Sequence, residues 1–176
     1  MKLVKGLLLT STAALLAVAA FIYTGIYPMG ADVPHNRITY WLLETVRERS
    51  IARAAADIQT PDLNDAELLL SGGPDYNDMC AQCHLKPGRT QSDMSIGLYP
   101  SPPNLTLPED ERAHSARRQF WIIKHGIKAS GMPAWGPTHD DQRIWAMVAF
   151  IQKLPSLTPE QYQILTTRAS GESNHH

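Results

Sequence analysis

The sequence predicts an all-α protein, and three observations carry that prediction. Apolar residues recur at helical spacing, as at Ile144, Trp145, Val148 and Ile151. No stretch alternates convincingly between apolar and polar residues, as a half-buried strand would. The two cysteines of the chain stand three apart in Cys80-Ala81-Gln82-Cys83-His84, a spacing that puts both on one face of a helix. A length of 176 residues suits one domain with an appendage. A formal net charge of -1 offers no basic excess for a nucleic-acid partner.

The first segment, residues 1–27, opens with Lys2 and Lys5 and then carries no charge from Gly6 to Tyr27. It is an export segment. Ala17-Val18-Ala19 has the small-x-small form of a cleavage site. The apolar run nevertheless continues through Phe21, Ile22 and Ile26, about 20 residues in all and enough to span a bilayer. An uncleaved anchor is the preferred reading and a cleaved signal the alternative. Lys2 and Lys5 hold the N-terminus in the cytoplasm. The expected location is therefore the inner membrane, with a single N-terminal span and the remainder periplasmic, or the periplasm alone if the segment is cleaved.

Residues 28–62 are expected to form a helical spacer. Pro28, Gly30 and Pro34 break the chain, and Asn36 caps a helix from about Arg37 to Ile58. Ile38, Trp41, Leu42, Val46 and Ile58 supply its apolar side, with Glu44, Arg47, Glu48 and Arg49 on the polar one. This helix has three candidate docking surfaces: the following domain, the membrane or a partner. A domain over residues 63–160 follows. Asn64 and Glu67 have the form of a capping box opening a short helix. Gly72-Gly73-Pro74 is expected to interrupt it, with Pro74 in the first turn of the next helix, which runs into Cys80. Residues 85–108 read as mostly irregular. Helices are expected at Asp110–His125 and Asp140–Lys153, joined by a loop containing Met132. Residues 161–176 are expected to be a C-terminal tail.

Cys-x-x-Cys-His is the attachment pattern of haem c. Two thiols on one helix face reach the two vinyl groups on one edge of the porphyrin, and His84, next in the chain, supplies a nitrogen to the iron. A thioredoxin-like dithiol would need a βαβ context, which is missing. A structural zinc site needs four ligands, and no histidine stands at a suitable spacing from the cysteines. For the sixth iron position Met132, in Gly131-Met132-Pro133-Ala134-Trp135, leads. Met94, a histidine or an open position are the alternatives.

These residues carry a resemblance. Gly73 and Tyr76 before the motif, then Cys80-x-x-Cys83-His84, then Pro102-Pro103-Asn104-Leu105, then Gly131-Met132-Pro133-Ala134-Trp135 and an aromatic-bearing last helix follow the order of class I cytochromes c. Residues 63–158 resemble that family, including its cbb3-type subunit domains. The resemblance implies a class I cytochrome c fold around one covalently bound haem, preceded by the membrane helix and the spacer. It implies that the carbonyl of Pro103 accepts a hydrogen bond from the His84 imidazole. Pro102 departs from the family, which has glycine there.

The expected iron ligands are thus His84 and Met132, and the expected cofactor contacts are Cys80, Cys83, His84, Met132 and Pro103. Filled axial positions imply one-electron transfer between redox protein partners, with no small-molecule substrate and no enzymatic turnover. A membrane-tethered carrier is the first reading. A fixed cytochrome subunit of a larger membrane-bound respiratory or dehydrogenase complex is the alternative. Lys86, Arg89, Lys124 and Lys128 are candidates for a basic docking ring.

Overall fold

Eight α-helices and one short 3-10 turn make up the computed structural model, which describes residues 1–108 and 115–168. No strand occurs among the described residues. The chain divides into two compact units, Met1–Val33 and a second that begins at Pro34.

The first unit is dominated by α1 (Lys2–Thr24), with a mean hydropathy of 2.0. Its 23 residues extend about 35 Å at 1.5 Å per residue, long enough and apolar enough to cross a membrane. Its leucines are exposed, so no core among the described residues accounts for its composition.

The second unit opens with α2 (Arg37–Ala54). Asn36 caps it as expected, its side chain accepting from the Ile38 and Thr39 amides at 3.1 and 3.0 Å. It ends four residues earlier than the apolar pattern predicted. Of the three docking surfaces expected for it, the structure uses the following domain: α2 packs against α6 (Ala116–His125) and buries Ile51.

The next helix, α3 (Ala66–Met79), overturns two expectations. Its cap is Asp65, which accepts from the Glu67 amide, while Asn64 turns back to Asp62 and forms no capping box. The helix also runs unbroken through Gly72-Gly73-Pro74. Tertiary contact explains why. A Cβ at Gly72 would run into the Ala146 carbonyl of α7 (Asp141–Lys153), and one at Gly73 into the Leu165 carbonyl of α8 (Pro159–Thr166). The glycines let three backbones meet, and that packing outweighs their poor helix propensity and the missing amide of Pro74.

Around this crossing lies the core. Tyr76, Ile144, Met147, Val148, Phe150 and Leu154 are fully buried. Each such side chain contributes about 1.5–3 kcal/mol of burial. Tyr76 packs on Phe150 and Tyr162 at ring distances of 5.4 and 6.3 Å, and Phe120 stacks on Trp145 at 4.2 Å. Asp75, buried on α3, ties this region to Arg143 of α7 and to Arg168.

The remaining elements are short. The one-turn α4 (Ala81–His84) follows α3 directly. Within the stretch read as irregular, α5 (Asp93–Gly97) forms because Ser92 and Ser95 make a capping box. Helix α6 is described over Ala116–His125; the start expected at Asp110 lies outside the described residues. Asp140 caps α7 through the Arg143 amide. The expected tail is corrected over its first part. Thr158 and Gln161 form a capping box with Pro159 in the first turn, and α8 carries Tyr162 into the core. Residues 169–176 of that tail lie outside the described residues.

Candidate functional site

The site grows from the junction of α3 and α4. Cys80 closes α3 and precedes α4, so Cys80, Cys83 and His84 follow one another within a single turn. The His84 amide donates to the Cys80 carbonyl at 2.8 Å, and the Cys83 amide to the same carbonyl at 3.1 Å. This locks the motif into helical form and brings the two thiols to one side. The chain then reverses at Leu85, which has a positive φ of 70°. The Tyr76 hydroxyl secures that reversal by donating to the Leu85 carbonyl at 2.7 Å.

His84 is held from both ends. Its own carbonyl accepts from the Leu105 amide at 3.1 Å. Its Nδ1 lies 2.9 Å from the Pro103 carbonyl oxygen. A carbonyl only accepts, so Nδ1 carries the proton and Nε2 keeps its lone pair. Burial lowers the His84 pKa, and the bond to Pro103 offsets this only in part. Both facts describe a neutral imidazole with one nitrogen available to a metal.

Met132 reaches the same region from a loop that leaves α6. Gly126, at φ 65°, turns the chain where a side chain would strike the Met132 carbonyl and Pro133. The loop then returns along the helix end. The Trp135 amide donates to the Ile123 carbonyl at 3.0 Å, and the Gly136 amide to the Lys124 carbonyl at 2.9 Å. Carbonyls that a helix terminus leaves unpaired thus fix the loop. Within it, the Met132 amide donates to the Ser130 hydroxyl at 3.1 Å.

Cys80, Cys83, His84, Pro103 and Met132 all line one cavity of about 420 Å³. That size falls in the range that holds a cofactor, about 300–1,000 Å³. Among the other candidate ligands, Met94 is 48% exposed and does not line it, and neither do His35, His125 or His139. His114 lies outside the described residues. Met79, beside Cys80, does line it.

The donor set fits a haem c. The rival readings find less support here. Burial pushes the Cys80 thiol up to about 12, the opposite of the lowered pKa that makes a dithiol reactive. Among the described residues no three His, Cys, Asp or Glu side chains cluster as a zinc site requires.

Residues 67–151 match the family model for cytochrome C oxidase, cbb3-type, subunit III. The chain carries a c-type cytochrome domain of cbb3 type. Its all-α fold is that of the class I cytochromes, and its chemistry is haem-based electron transfer. No curated protein and no solved structure matched the chain.

The cytochrome domain's cavity also contains residues that the sequence did not single out. Tyr40, Arg47, Glu48 and Ile51 of α2 line it, with Arg118 and Gln119 of α6. The alternation of charge and apolarity along α2 gives no hint that its charged side faces a cofactor cavity. Of the candidate docking cations, Lys124 is paired with Asp141 at 2.6 Å, while Lys86, Arg89 and Lys128 are exposed.

Proposed function

We propose that this protein is a membrane-tethered monohaem cytochrome that passes single electrons between protein partners. The reading rests on one observation above the rest: both cysteines, a histidine with a free Nε2 and Met132 share one cavity. Cys80 and Cys83 would hold the haem through two thioethers, with His84 and Met132 as the axial ligands. Haem c supplies a one-electron iron couple, and thioether ligation with burial favours the ferrous state. The protein's part is to fix the ligands. The Pro103 carbonyl orients the imidazole, and the strapped 126–136 loop holds the thioether in place. A filled axial set leaves no position for substrate, which marks a carrier rather than an enzyme.

The tether is α1, whose length and hydropathy suit a single span with the haem domain on the periplasmic side. A second reading, a fixed subunit of a larger membrane-bound complex, is favoured by a specific feature. Ile38, Trp41, Leu42 and Val46 form an exposed apolar side on α2. Stoichiometric co-purification in mild detergent supports the subunit; a lone stable species supports the carrier.

The function is tested by visible spectra of oxidised and reduced protein beside Met132→Ala. Haem that survives denaturation and acid–acetone extraction is expected. A sulfur-to-iron charge-transfer band is expected in the wild type and absent in the variant. Haem that extracts freely ends the proposal, and a band that persists in Met132→Ala assigns the ligand elsewhere.

A further inference from the structure

The family match begins at residue 67, but the cavity wall begins at Tyr40. Helix α2 is held to α6 by Ile51, which is 3% exposed, by the Arg118–Glu48 ion pair and by the Arg117 bond to the Ala56 carbonyl at 3.0 Å. The helix sits with its polar side inward. Arg47 and Glu48 face the cavity, while Ile38 and Trp41 stand in the open at 77% and 63% exposure. Turning charges toward an otherwise apolar cavity costs desolvation unless partners are present.

Among the described residues, the charges in the cavity lining itself are unequal. Two guanidinium groups, those of Arg47 and Arg118, line the cavity with one carboxylate, that of Glu48. Arg47 Nε donates to Glu48 at 3.0 Å and Arg118 pairs with its other oxygen. Glu44, 3.5 Å from Arg47, stands outside the lining. Burial pushes the Glu48 carboxyl up, but the two arginines outweigh this and hold it below its ordinary value, so it is an anion at neutral pH. Among the described residues the lining therefore holds one more cationic side chain than anionic, with Glu44 pairing Arg47 from outside it. Haem c carries two propionate carboxylates on the porphyrin edge remote from its thioether-forming vinyl groups. Guanidinium is the side chain best matched to carboxylate geometry.

We propose that Arg47 and Arg118 form the propionate-binding end of the haem site, with Glu48 as the anion that orients them, so that α2 belongs to the cofactor site. The proposal rests on the haem c reading above, and it assigns a cofactor contact to a segment outside the family match. Its consequence is electrostatic. A cation near the haem disfavours the ferric state, which carries one more positive charge than the ferrous, and an anion favours it.

The test is a spectroelectrochemical titration, at neutral pH, of full-length haem-loaded protein in detergent. Arg47→Gln and Arg118→Gln are expected to shift the equilibrium toward the oxidised form about threefold to tenfold, where tenfold equals 59 mV for one electron. Glu48→Gln is expected to shift it the other way, and Arg47→Lys to recover most of the Arg47→Gln loss. A purely structural ion pair behaves differently: Arg118→Gln and Glu48→Gln break the same contact and would move the potential in the same direction or not at all. Either result overturns the proposal. If Arg118→Gln does not accumulate, Arg47→Gln and Glu48→Gln carry the test, since their opposite signs suffice. Wild-type protein without covalent haem overturns the haem reading as well; attached haem with unmoved potentials overturns the propionate assignment alone.

Discussion

Where α3 crosses α7, two backbones touch through glycine; where α2 meets α6, the Glu48–Arg118 ion pair stands beside the buried Ile51. The first contact is dry and close. It needs nothing from outside the chain, and the residues around it are fully buried. The second flanks the 420 Å³ cavity and, among the described residues, lines it with two arginines and one glutamate. The difference separates two tasks. The glycine crossing closes the fold, and the charged contact leaves room for something that is not protein.

The largest effect is expected from breaking the closed side. Gly72→Ala places a methyl group in the Ala146 carbonyl, and backbone on backbone cannot be relieved by a rotamer change. A loss of about 3 kcal/mol or more is expected in denaturant unfolding of the haem-loaded protein, at the upper end for overpacked sites. A loss below about 1 kcal/mol means that the crossing is looser than described.

Asp75 sharpens the same comparison, because it is a charge on the dry side that is fully partnered. Arg143 bonds it at 2.5 and 2.9 Å and Arg168 at 3.0 Å. Asp75→Asn is expected to cost about 2 kcal/mol, since bonds to a charged group are weakened rather than removed. Burial alone would raise the Asp75 pKa, but Arg143 and then Arg168 bring it below the ordinary aspartate value. A folded pKa below the unfolded one gives stability that is complete above the unfolded value of about 3.9 and is lost as pH falls through the folded value. The wild type is therefore expected to lose stability more steeply than Asp75→Asn below about pH 4, measured by unfolding at a series of pH values. Parallel profiles count against the linkage.

The smallest effect belongs to the cavity side. Pro103→Ala keeps the carbonyl that bonds His84 and changes only the stiffness of the turn. A stability change under about 1 kcal/mol and an intact sulfur-to-iron band are expected. Loss of the band means that the proline ring itself places the histidine.

Much of the closed side was legible in the sequence. The Ile144–Ile151 pattern located α7, and Asn36 and Asp140 located two helix starts, because caps and periodicity are local signals. Gly72-Gly73-Pro74 misled for a physical reason: glycine reads as a break when the neighbours that need its missing side chain, Ala146 and Leu165, are far away in the chain. Tyr162 was legible but unread, since Thr158-Pro159-Glu160-Gln161 spells a capping box with a first-turn proline. On the cavity side, Cys80, Cys83, His84 and Met132 stood out by motif and loop context. Arg47 and Glu48 did not. The apolar residues of α2 left open whether its apolar side meets the domain, the membrane or a partner, and the structure leaves Ile38 and Trp41 exposed. Periodicity assumes a protein core on the far side, and here the far side is a cavity.

The bond between His84 and Pro103 has an evolutionary consequence. Its acceptor is a main-chain oxygen that all twenty residue types carry, so a point substitution at position 103 leaves the acceptor in place. A change in the number of residues between the two does not. Nineteen positions separate them, and adding or removing one shifts a different carbonyl toward the imidazole. The His84 imidazole is thus protected against errors of spelling and vulnerable to errors of counting.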